Sequence, residues 1–153
     1  MAKVICILLL LIFMQNTLIA QKCITFQEAE TMKLIPQLDS LYKSGIDSDS
    51  TKSVFKNTEQ YRKAYQKILI QLAQFLAKNN FKWGKQVRCF NRIYFSQKGM
   101  IDYFIFDIKD EQITDTQKVR FKELVQQFSQ TAQFDLHSIQ KFSQCSPVKY
   151  ADL

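Results

Sequence analysis

Val87-Arg88-Cys89-Phe90-Asn91-Arg92-Ile93-Tyr94-Phe95, followed after Ser96-Gln97-Lys98-Gly99 by Met100-Ile101-Asp102-Tyr103-Phe104-Ile105-Phe106-Asp107-Ile108, is the stretch on which the fold turns. In its first half Val87, Cys89, Ile93 and Phe95 share one face with Asn91, and Arg88, Phe90, Arg92 and Tyr94 share the other, the alternation of a strand. Ser96 to Gly99 predicts a tight connection in which Gly99 adopts positive φ. The second half is apolar on both faces apart from Asp102 and Asp107, and a strand of that composition is covered on both sides. The two strands therefore read as a hairpin at the centre of the fold.

Upstream of the hairpin the period changes. Tyr61, Tyr65, Ile68, Leu69, Leu72, Phe75 and Leu76 recur at helical spacing, with Lys63, Gln66, Lys67, Gln71 and Lys78 on the other side. This predicts a long amphipathic helix from Thr58 to about Asn79-Asn80. Earlier still, Thr25 and Glu28 have the spacing of a capping box before a short helix running toward Leu34. Pro36 suits the start of a further helical turn and Gly45 its end, and Ile46 to Ser53 reads as a polar loop.

Downstream, Thr114, Asp115 or Thr116 can cap a shorter helix with Phe121, Leu124, Val125 and Phe128 toward the core. Alternation from Ile139 to Tyr150 predicts a last strand, in which Pro147 must lie at an end or on an edge. The expected fold is α+β, a small antiparallel sheet of hairpin and C-terminal strand packed with one long and one shorter amphipathic helix. Residues 21–153 form one domain, helical over 21–80 and strand-turn-strand-helix-strand over 81–153.

Residues 1–20 read differently from the rest. Lys3, the apolar run Val4 to Met14, and Leu18-Ile19-Ala20 give the charged, apolar and small-residue order of a secretory signal peptide cleaved after Ala20. The apolar run is shorter than the roughly 20 residues of a spanning helix, so the expectation is a secreted or periplasmic protein with no stable membrane insertion. Lipidation at Cys23 is the rival reading, and it lacks the small residue needed immediately before the cysteine, where Gln21 and Lys22 stand.

Composition narrows the chemistry. The 153-residue chain has 13 Phe, 6 Tyr and 1 Trp, enough for one aromatic core, but only 3 Gly and 2 Pro. Without a Gly-rich loop it has no phosphate-cradling motif of the P-loop or dinucleotide type, and no cofactor is implied. The net charge of +7 favours an acidic partner or an anionic surface, export setting nucleic acid aside. Lysines scattered over solvated faces explain the same charge, since the positive residues form no run.

After processing, Cys23, Cys89 and Cys145 remain, and an oxidising compartment favours a bridge where geometry allows. Cys89 and Cys145 lie on expected strands of one sheet, so their pairing is expected; it would close a loop of about 55 residues and stabilise by roughly 4 kcal/mol. Cys23 with Cys145 is the alternative pairing.

A catalytic reading is weak. His137 is the single histidine, and with Cys145 it would need a thiol-to-base contact that the sequence does not supply. Asp102 with Asp107, or Asp110 with Glu111, could be paired acids or solvated hairpin and turn charges. No Cys or His pair has metal-ligand spacing. The constellation favoured for partner binding is Arg88, Phe90, Arg92 and Tyr94, where guanidinium groups alternate with rings. The same face could instead pack beneath the long helix, with the arginine heads paired to Asp102 or Asp107.

The run Ile93-Tyr94-Phe95-Ser96-Gln97-Lys98-Gly99-Met100-Ile101, with the second strand, helix and third strand that follow, resembles the C-terminal domain of TonB-type envelope proteins over about residues 87–150. The chain lacks the family's Pro-rich linker and retained anchor, so the resemblance implies a protein-binding periplasmic module using a strand edge, not an energy transducer. The expected function is an exported, non-catalytic interaction module binding a protein partner through a strand edge or the basic-aromatic face. The alternatives are an accessory protein adhering to anionic polysaccharide or lipid, and a small cysteine-dependent enzyme.

Overall fold

The computed structural model describes residues 22–153; the expected signal peptide lies outside the described residues. The chain runs β1 (Lys22–Thr25), α1 (Phe26–Thr31), α2 (Leu34–Leu41), β2 (Lys43–Ser44), α3 (Thr58–Lys78), β3 (Val87–Phe95), β4 (Ile101–Asp107), α4 (Asp115–Ser129) and β5 (Phe142–Tyr150). No described helix is long and apolar enough to cross a membrane.

The fold is α+β, with one five-stranded sheet in the order β1-β4-β3-β5-β2. The hairpin and C-terminal strand form its antiparallel centre, β3 pairing with β4 on one side and β5 on the other. The sheet as a whole is mixed, because β1 lies parallel to β4 and β2 parallel to β5. Both parallel strands escape sequence reading for the same reason: four and two residues are too few to show a period.

Local chemistry places the helices. Thr25 and Glu28 form the expected capping box, and Thr114 forms a second with Gln117. Asn57 caps the long helix by accepting from the Gln60 N–H, and Asn80, at φ 56°, follows its end. Pro36 sits in the first turn of α2, where its missing N–H costs nothing. The helix expected to end at Gly45 stops instead at Leu41, and Gly45 continues the β2 pairing by donating its N–H to the Ser143 carbonyl at 2.8 Å.

The sheet is covered on both faces. Cys23, Val87, Cys89, Ile93, Phe95, Phe104, Phe106, Phe142 and Tyr150 pack with α3 and α4 in the main core. Ile24, Tyr94 and Ile105 face the other way, beneath Ala29 of α1 and Leu38 of α2. Asn91 is fully buried in the main core, where its amide donates to the Tyr150 hydroxyl at 2.6 Å and its carbonyl accepts from the Cys89 thiol at 3.2 Å. Gly99 has φ 80°, as the turn requires, and its carbonyl accepts from the Phe134 N–H at 2.8 Å.

Candidate functional site

The register of β3 against β5 decides what the predicted site residues can do. Cys145 lies opposite Arg92, whereas Cys89 lies opposite Val148. Three positions of offset put the two thiols on opposite faces of the sheet, Cys89 in the main core and Cys145 exposed. The expected Cys89–Cys145 bridge is therefore not formed. The alternative with Cys23 fails as well, because β1 and β5 are separated by β4 and β3, and all three described cysteines are free.

Burial pushes the Cys89 thiol up to about 12 and raises Cys23 further. Burial also raises Cys145, with the nearby Arg92 guanidinium pulling against it. Cysteine chemistry needs the thiolate, so all three are weakly nucleophilic at neutral pH. Alkylation of the native protein is expected to modify Cys145 alone, faster as pH rises, with Cys23 and Cys89 reacting only on unfolding. Peptide mapping of time-resolved labelling checks this; equal labelling of Cys89 and Cys145 in the folded protein would contradict the register.

The basic-aromatic constellation divides in two. Tyr94 is completely buried and donates to Asp39 at 2.9 Å. Arg92 grips both oxygens of the same carboxylate. These two residues hold α2 to the sheet and are not available to a partner. The covering element is α2 because α3 occupies the opposite face, and the carboxylate is Asp39 rather than Asp102 or Asp107. Asp102 is the extra residue of a bulge, two residues of β4 standing opposite Phe95 between the Tyr94–Tyr103 and Phe95–Ile101 pairs. Its carboxylate accepts from Tyr42 at 2.7 Å.

Arg88 and Phe90 remain exposed. Phe90 meets the edge of Phe26 with ring centroids 6.3 Å apart, and Pro147 stands opposite it on β5. Phe26, Arg88, Phe90, Lys109 and Pro147 line a shallow groove at this end of the sheet. Lys149, which the sequence did not single out, is the cross-strand partner of Arg88. Its contribution depends on register, which only long-range pairing supplies.

The two sheet edges differ. On β1 the Cys23 N–H donates to Gln126 Oε1 at 2.8 Å and the Thr25 N–H to Glu28 Oε2 at 2.7 Å, so side chains occupy that edge. On β5 the carbonyls of Lys141 and Ser143 accept from Lys43 and Gly45. Backbone direction alternates along a strand, so Cys145, Pro147 and Lys149 turn their backbone groups to the same outer side. No described strand pairs with that side beyond Ser143. Pro147 places its missing N–H there, as an edge proline does.

The remaining candidate residues have the following partners. His137 contacts Gln133 at 3.4 Å, and Cys145 stands across from Arg92. Asp102 is engaged by Tyr42, Asp107 pairs with Lys109 and Asp110 with Lys85. Among the described residues no group of three or more His, Cys, Asp or Glu side chains could hold a metal ion. The chain matches no family model, no curated protein and no solved structure.

Proposed function

We propose that the protein is an exported, non-catalytic interaction module that binds an extended segment of a protein partner along the outer edge of β5, beside Arg88 and Phe90. The observation that carries this reading is the contrast between the edges: β1 has its outward N–H groups occupied by Gln126 and Glu28, while beyond Ser143 no described strand pairs with β5, where a side chain, Gln144 Nε2, meets only the Cys145 carbonyl, at 3.0 Å. An extended peptide adds to such an edge through main-chain hydrogen bonds, and side-chain pockets set its identity. The signal-like order of residues 1–20 and the resemblance of residues 87–150 to TonB-type C-terminal domains favour the same role.

Pro147 shapes what can bind. It removes one donor from the middle of the edge, which disfavours open-ended pairing with long strands and self-association. A short segment bonded to Cys145 or Lys149 is compatible with it. Selection of a displayed library of random peptides on the purified protein tests the reading. The expected result is extended binders whose complexes shift the backbone amide resonances of residues 144–150. Binders that shift only α3 or the loop over residues 46–53, or none at all, would overturn it.

A further inference from the structure

Arg88 and Lys149 stand directly opposite one another on β3 and β5, both exposed. Like charges at such positions repel and weaken a sheet. The nearest cations on this face are compensated: Arg92 has Asp39 and Lys109 has Asp107. Glu30 lines the adjoining groove but forms no ion pair with Arg88. The next pair on the same face of the two strands is Phe90 with Pro147, so the uncompensated positive pair borders an apolar floor. Together they set two cations beside an apolar floor at one end of the β5 edge, with Glu30 and Asp107 also lining the groove.

We infer that Arg88 and Lys149 are the specificity anchor of the proposed interface and take a carboxylate-bearing extended segment of the partner, its apolar neighbour resting on Phe90 and Pro147. Two cations flanking one carboxylate convert their mutual repulsion into attraction, and a guanidinium offers the planar fork that a carboxylate matches. Polypeptide is favoured over sulfated polysaccharide by the edge itself. Lys149 turns its N–H and C=O outward beside its side chain, so the same residue can bond a main chain and a carboxylate, and a glycan has no use for the first. This inference rests on the edge-binding reading above.

The test uses the full exported protein, twelve-residue peptides from the random selection, and low-molecular-weight heparin as the polysaccharide probe. Wild type is compared with Arg88→Gln, Lys149→Gln, the double reversal Arg88→Glu/Lys149→Glu, and Lys98→Glu in the distant hairpin turn as control. The expected result is binders enriched in Asp and Glu, an affinity loss of about tenfold for each neutralisation, no binding by the double reversal, and no change in the control. Thermal melts of the two single neutralisations should not fall below wild type, because repulsion has been removed. Binders that occupy the β5 edge without acidic enrichment, and are indifferent to both neutralisations, would overturn the anchor while leaving edge binding in place. Absence of any edge binder would overturn both. Heparin retention that depends on Arg88 and Lys149, with no acidic peptide selected, would replace the protein segment by a polysaccharide and overturn the inference.

Discussion

Gly45→Ala is expected to destabilise the protein by about 3 kcal/mol, at the upper end of what overpacking a core costs. A Cβ at this position would lie 2.2 Å from the Tyr61 hydroxyl oxygen and 2.5 Å from Cζ of its ring. Neither side can retreat. Gly45 is pinned through its N–H to Ser143 and through its carbonyl to the Phe55 N–H. The Tyr61 ring is 1% exposed and wedged between Phe55 and Phe134, at centroid distances of 5.2 Å to each. The Tyr61 hydroxyl has no hydrogen-bond partner among the described residues, so Tyr61→Phe alone should stabilise by about 1 kcal/mol. It should also recover part of the Gly45→Ala loss, since the nearest clashing atom is gone while Cζ remains. Urea unfolding of the four-member cycle measures both effects. Wild-type stability for Gly45→Ala would contradict the close approach of the chain after β2 to α3.

Phe134→Ala is expected to cost about 3–5 kcal/mol, although Phe134 belongs to no helix or strand. It is completely buried and meets Phe95 at 5.0 Å, Tyr61 at 5.2 Å and Phe142 at 5.3 Å between centroids. Truncation would open a cavity where the hairpin end, the long helix and β5 converge, and rings so clustered contribute beyond their buried area. In a domain of this size the melting temperature should fall by on the order of 10 °C. Phe90→Ala, made at an exposed ring, should cost less than about 1 kcal/mol by comparison. Similar losses at the two positions would contradict the assignment of one ring to the core and the other to the surface.

The elements with a sustained period were legible in the chain. Alternation from Val87 to Phe95 placed β3 to the residue, and cap chemistry, being local, located one helix start at Thr25 and narrowed another to Thr114, Asp115 or Thr116, of which Thr114 is the cap. The apolar run of β4 announced cover on both faces, which α3 with α4 and α1 with α2 provide. What the sequence concealed depends on contacts between distant residues. Gly45 reads as a helix stop from its neighbours, yet it is small because Tyr61, sixteen positions on, lies against it. The Cys89–Cys145 expectation required a register that no local pattern encodes. A three-residue offset between strands reverses the face, and with it the chemistry. The same holds for the binding face: nothing near Arg92 and Tyr94 in the chain shows that Asp39 will claim both, or that Arg88 will be left facing Lys149.

Residue-resolved hydrogen exchange along β5 tests the open edge most directly, because each amide reports whether its own hydrogen bond exists. The amides of Gln144, Ser146 and Val148, turned toward β3, should be protected in the free protein. Those of Cys145 and Lys149 should exchange as solvated backbone and slow only when a selected acidic peptide is bound. Protection of all five in the free protein, or exchange at Cys145 and Lys149 that a bound peptide leaves unchanged, would contradict the account.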